Sequence, residues 1–183
     1  DANQRRREGR ELARRTSGAL LESGAPGPAA LIASVAGDLS DSDEERADAL
    51  IQTGLCHLAG CRFEPADRAL LEAAAFGAPN GLVAYHRARV QVAWRDDIEA
   101  LERYAEALEA GVGGVSAEDL HFEMAMSHIR IEEWDDARKH LKQAGGPSPA
   151  IAFNLGVCDV NDGHAERALG HFDRALELGP PDE

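Results

Sequence analysis

What the chain lacks narrows it first. Lysine occurs only at Lys139 and Lys142, and the formal net charge is −14. A phosphate backbone needs a basic face, so this balance argues against nucleic acid as a partner. It argues equally against an anionic membrane surface. No apolar run reaches the ~18 residues of a membrane-spanning helix. Aromatic residues make up 5% of the chain, and β-branched residues are scarce, which disfavours sheet. Three cysteines give no disulfide framework. Cys56 and Cys158 fall at equivalent places in their helical patterns and read as small core side chains. Cys61 sits in a turn with no partner at zinc-ligand spacing. There is no P-loop, GxSxG, Gly-rich dinucleotide turn or HExxH. The pairs His121/His128 and His164/His171 have no cysteine or carboxylate at ligand spacing, so packing or solvation explains them. No enzyme, metal site or cofactor is expected.

What is present favours helix: alanine, leucine and glutamate dominate. The clearest stretch is 149–183. Ala152, Leu155, Gly156 and Asp159 recur at helical spacing, and so do Ala168, Phe172, Ala175 and Leu176. Asn161-Asp162-Gly163 breaks the two helices, and Gly179-Pro180-Pro181 ends the pair. Gly156 and Ala168 carry almost no side chain, so the two helices can cross closely, with Phe172 filling the space beyond. This is an antiparallel helical hairpin, and a hairpin alone cannot bury both its faces.

Copies precede it. Met124-Ala125 is followed by Ala137, Leu141 and Ala144; Ala88 by Ala100, Tyr104 and Ala107; Gly54 by Ala66, Leu70 and Ala73. The alanine opening each second-helix core falls at 66, 100, 137 and 168, giving intervals of 34, 37 and 31 residues. Linkers such as GVGGVSA at 111–117 vary while the core spacing within each hairpin holds, as a solenoid requires.

With these residues in place, the chain resembles the tetratricopeptide repeat family. The last unit matches best, through Leu155-Gly156, Gly163, Ala168, Phe172, Ala175 and Pro180. The upstream copies are looser: His57, Arg87 and His128 stand where the pattern prefers an apolar or aromatic residue, and Val112 replaces its proline. The resemblance implies an all-α, right-handed superhelix of antiparallel hairpins, an α-solenoid. Four repeats are expected at about 47–80, 81–117, 118–148 and 149–183. A degenerate capping hairpin over 1–38, with a basic start and frayed first turns, would precede a polar linker at 39–46. Pro28 is expected at the first position of the second helix. Ser42 with Glu45 reads as a capping box, Ser116 with Asp119 as a weaker one, and Ser148 as an N-cap before Pro149. The chain begins without methionine and ends soon after Leu178, so trimming at the start and continuation past Glu183 are both expected.

In this architecture the first helix of each hairpin lines the concave face. The stripe left over from hairpin packing carries Ile51, Gln52, Leu55, Tyr85, His86, Arg89, Phe122, Met126, Arg130, Phe153, Asn154 and Val157. The family's known carboxylate-gripping clamp uses lysines and asparagines, and this stripe has no lysine and one asparagine. An apolar groove suits an apolar or amphipathic peptide or helix, and the net charge of −14 favours basic flanks on it. Four such side chains at about 1.5–3 kcal/mol each suffice for micromolar binding after association costs. The function expected is therefore a protein–protein interaction module. Two alternatives are a self-associating scaffold that uses an exposed edge of Phe172, Leu176 and Leu178, and a secretion-type chaperone. Arginine's excess over lysine reads as genome composition. The expected source is bacterial. The cytoplasm is the expected compartment, with the periplasm as the alternative. The arginines at the start could instead dock on something anionic, and acids clustered at the hairpin turns read as helix-dipole partners.

Overall fold

A computed structural model describes residues 2–179, and all their regular structure is helical. The described helices are α1 (Ala2–Glu22), α2 (Pro26–Asp38), α3 (Asp43–Ala59), α4 (Phe63–Ala75), α5 (Asn80–Trp94), α6 (Asp97–Ala110), α7 (Ala117–Arg130), α8 (Trp134–Gln143), α9 (Pro149–Asn161) and α10 (Ala165–Leu178). None of them is long and apolar enough to cross a membrane. The chain forms two compact units, one ending at Val112 and the other beginning at Gly113. The first holds the hairpins α1–α2, α3–α4 and α5–α6; the second holds α7–α8 and α9–α10. Pro180 and Pro181, read above as the stop of the last hairpin, lie outside the described residues.

Local chemistry sets the helix starts. The Ser42 hydroxyl accepts from the Glu45 amide at 3.2 Å. At Ser116 the box is complete: its hydroxyl accepts from the Asp119 amide at 3.0 Å, while its own amide donates to the Asp119 carboxylate at 3.3 Å. Ser148 holds the N-cap position before Pro149, without a side-chain hydrogen bond. Two expectations are corrected. The second helix begins at Pro26, so Pro28 is its third residue. The first helix is regular from Ala2, with Gln4 bonded to Glu8 at 2.9 Å and Arg10 paired with Asp41 and Glu45 at 3.2 and 2.6 Å.

Inside each hairpin one spacing recurs. In the four hairpins from α3 on, Gly54 meets Leu70 and Gly156 meets Phe172, Ala125 and Leu141 share one core, and Ala88 and Tyr104 are both fully buried, sixteen residues apart each time. Ala66, Ala100, Ala137 and Ala168, the alanines read from the sequence, are all buried to 2% exposure or less. Leu70, Tyr104 and Leu141 are fully enclosed. Sixteen residues bring the chain down one helix, round a short turn and back to the same level. The pairing therefore follows from helix geometry and turn length. Around these pairs the first unit builds a core from Ala47, Leu70, Val83 and Val90, with Leu55 and Leu58 against it. The second unit builds its own from Ala125, Ala137, Leu141 and Cys158.

Cys56 and Cys158 are buried and Cys61 is exposed. Burial pushes the Cys158 thiol pKa up, away from reactivity.

Candidate functional site

On the first unit the expected partner-facing residues divide. Ile51 is 5% exposed and packs in the core with Ala47 and Leu70, so it has no surface to offer. One residue along a helix is a rotation of about 100°, and the outward place belongs to Gln52, which is exposed. Leu55 is half-buried against the same core. The half-buried Tyr85 ring lies 6.3 Å from Tyr104, and the exposed Arg89 holds its guanidinium 5.7 Å from the Tyr85 ring. That is cation–π distance. His86, read as a neighbour on this outward stripe, is buried instead, and its Nδ1 has no hydrogen-bond partner. Burial first, and then the charge of Arg89, lowers its pKa to about 4.

On the second unit Phe122 and Met126 are half-buried against the α7–α8 core. Arg130 is exposed and donates to the Ser127 hydroxyl at 2.9 Å. Val157 is half-buried. Asn154 turns its amide to its own helix, donating to the Ala150 carbonyl at 2.8 Å. Phe153 is 54% exposed, with its ring 5.6 Å from that of Phe172.

The sequence reading assigned Phe153 and Asn154 to a groove, and Phe172 and Leu176 to a separate edge. The structure puts all four around one hollow. Together with Pro149, Ala150, Ala175 and Gly179 they line an apolar cleft of about 600 Å³ between α9 and α10. Leu176 is 80% exposed at its rim. Leu178 is half-buried and lies outside the lining.

Two clusters escaped the sequence reading. His121 and His128 do share a face of α7, but His140 of α8 stands between them. The Nδ1 atoms of His121 and His140 are 3.0 Å apart, and the rings of His128 and His140 stack at 5.2 Å. Burial first, then His128 and His121, lowers the His140 pKa. Among the described residues no group of three ligand-type side chains is placed to hold a metal ion.

The second cluster surrounds Asp159, whose side chain is 1% exposed. Arg138, Arg167 and His171 approach its carboxylate at 3.5, 3.2 and 3.4 Å. Asp159 stood out by helical spacing, but its partners come from α8 and α10. Arg138 also pairs with Asp135 and Asp162, so neutralising Asp159 does not orphan it. We expect Asp159→Asn to cost about 2 kcal/mol in urea unfolding, below the ~3–5 kcal/mol of a fully broken buried pair. Two other turn acids act locally: Asp96 caps α6, and Asp136 pairs with Lys139.

No family model matches the chain, and no curated protein matches it in sequence. Solved structures do match. MamA from Desulfovibrio magneticus RS-1 (residues 41 to the end) shares 15% identity over 93% of this chain and 94% of its own, with a TM-score of 0.77. PilF from Pseudomonas aeruginosa shares 16% identity over 97% of this chain and 79% of its own, at 0.76. YrrB, described as a TPR protein with an unusual peptide-binding site, shares 20% over 92% of this chain and 85% of its own, at 0.68. The fold is that of the tetratricopeptide repeat proteins, an α-solenoid of helical hairpins.

Proposed function

We propose that this chain is a protein-interaction module that receives an apolar or amphipathic segment of another protein. The observation that carries the reading is the cleft between α9 and α10. Its lining is almost wholly apolar, and Phe153 and Leu176 stand open to solvent beside it. Isolated exposed apolar side chains are ordinary, but a contiguous concave patch of them is the usual mark of a docking site. The peptide-binding site named for YrrB supports the same class of role. Leu55, Tyr85 and Arg89 on the first unit, and Phe122, Met126, Arg130 and Val157 on the second, are the further residues we assign to partner contact. The arginines suit carboxylates on the guest.

Leu176→Glu tests the reading with little risk to folding. A residue this exposed is expected to change stability by no more than about 0.5 kcal/mol. Affinity capture from the source organism with wild-type and variant baits should show partners lost by the variant alone. Identical captures would reject the cleft. A second reading, self-association through the same surface, is favoured by the exposure of Leu176 and Leu169 on α10. Light scattering across concentration separates the two, since only self-association gives a wild-type mass that rises with concentration and a variant mass that does not.

A further inference from the structure

The first unit holds a second hollow of opposite character, a cleft of about 390 Å³ between α1, α2 and α3. Its floor is made of the buried small side chains Ala33, Ala36 and Ala49, and its rim carries Arg14, Arg15, Glu11 and Gln52. The arginines of α1 are not equivalent. Arg6 and Arg10 are drawn to Asp41 and Glu45. Arg14 and Arg15, about one turn further on, are exposed and form no ion pair among the described residues, not even with Glu11. Two unpaired guanidiniums and a carboxamide over an alanine floor give a rim of net positive charge on a chain of net charge −14. In so acidic a chain, cations left unneutralised at a concave site are complementary to an anionic group of about side-chain size. Carboxylate fits best, because guanidinium offers it paired N–H donors and the amide of Gln52 adds another. A polyanionic sheet or strand is disfavoured, since the acidic body would repel it.

From this we infer that the α1–α2–α3 cleft is a second docking site, one that selects an acidic peptide through Arg14 and Arg15. It rests on the reading of the chain as an interaction module but uses none of the apolar cleft's residues.

The probe is a fluorescein-labelled peptide of interspersed glutamate and leucine, amidated at its C-terminus and followed by fluorescence anisotropy. A glutamine-for-glutamate peptide is its neutral counterpart, and the neutral peptide with a free C-terminus presents a terminal carboxylate. We expect the acidic probe to bind wild type about tenfold more tightly than the neutral one, with the gap narrowing as salt is added. Arg14→Gln/Arg15→Gln, with unchanged circular dichroism, should erase the gap, whereas Arg174→Gln should keep it. Tight binding of the amidated acidic probe assigns side-chain carboxylates; recovery only with the free C-terminus assigns a terminal one. Equal binding of both probes, lost in Leu176→Glu, would overturn this site while leaving the apolar reading intact. An acidic-probe affinity unchanged in the double arginine variant would overturn it as well. So would arginine-dependent retention on phosphatidylserine vesicles without peptide discrimination.

Discussion

Gly156→Leu should cost about 3 kcal/mol and loosen the α9–α10 hairpin. A β-carbon at Gly156 would lie 2.5 Å from Cε1 of Phe172 and 2.8 Å from its Cδ1, closer than carbon atoms approach. The Phe172 ring must swing past Phe153 into the apolar cleft, or the helices must separate. Overpacking of this kind costs about 1–3 kcal/mol even where neighbours can adjust. Leucine's better helix propensity returns less than about 1 kcal/mol. Urea unfolding followed by circular dichroism measures the loss. Adding Phe172→Ala to Gly156→Leu should recover part of it, since the new side chain then fills the vacated space. Gly54→Ala is the internal comparison: its added carbon meets Leu70 at 3.0 Å and the Ala66 carbonyl oxygen at 3.3 Å, longer contacts than at Gly156, and should cost less. A Gly156→Leu protein as stable as wild type would show that the crossing is not close.

That prediction rests on what was most legible in the sequence. Small residues at 54, 88, 125 and 156 could be read because each hairpin repeats the same local contact, so the pattern needs no knowledge of distant packing. Helix starts were legible for the same reason, as at Ser42 and Ser116, where the bonded groups lie three residues apart. Orientation about a helix axis was harder to read. Ile51 and His86 sit next to the outward positions, and the pattern of α5 is apolar on more than one side, so a rotation of one residue moves them indoors. Contacts between helices that occur only once were not legible. Nothing near His121 announces His140, and nothing near Asp159 announces Arg138, because neither pairing repeats from hairpin to hairpin. The site was misdivided for a related reason. Phe153 and Leu176 belong to different helices of one hairpin, and only their crossing makes a single cleft of them.

The buried imidazole of His86 makes the fold acid-sensitive in a defined window. Its pKa is about 4 in the folded chain against an ordinary value of 6.5. The folded state thus holds the neutral form while the unfolded chain takes up the proton. Stability contributed by neutral His86 is complete above pH 6.5. It falls as pH drops through that value and is fully lost near pH 4, by about 3 kcal/mol in total. Between pH 6.5 and 5, before most carboxylates titrate, its share should be about 2 kcal/mol. Its position explains the size: the ring is wedged beside Tyr85, with no partner for Nδ1 and the Arg89 cation close by, so added charge would be poorly hydrated and meet no counterion. His57 and His140 are shifted the same way and add to the slope. Unfolding free energies of wild type and His86→Leu at pH 7.5, 6 and 5 isolate the share of His86. The variant should lose less stability on acidification, with the residual slope belonging to the other two imidazoles. Parallel pH profiles for the two proteins would place the acid sensitivity elsewhere, and His86 would then have to be protonated, or hydrated, inside the fold.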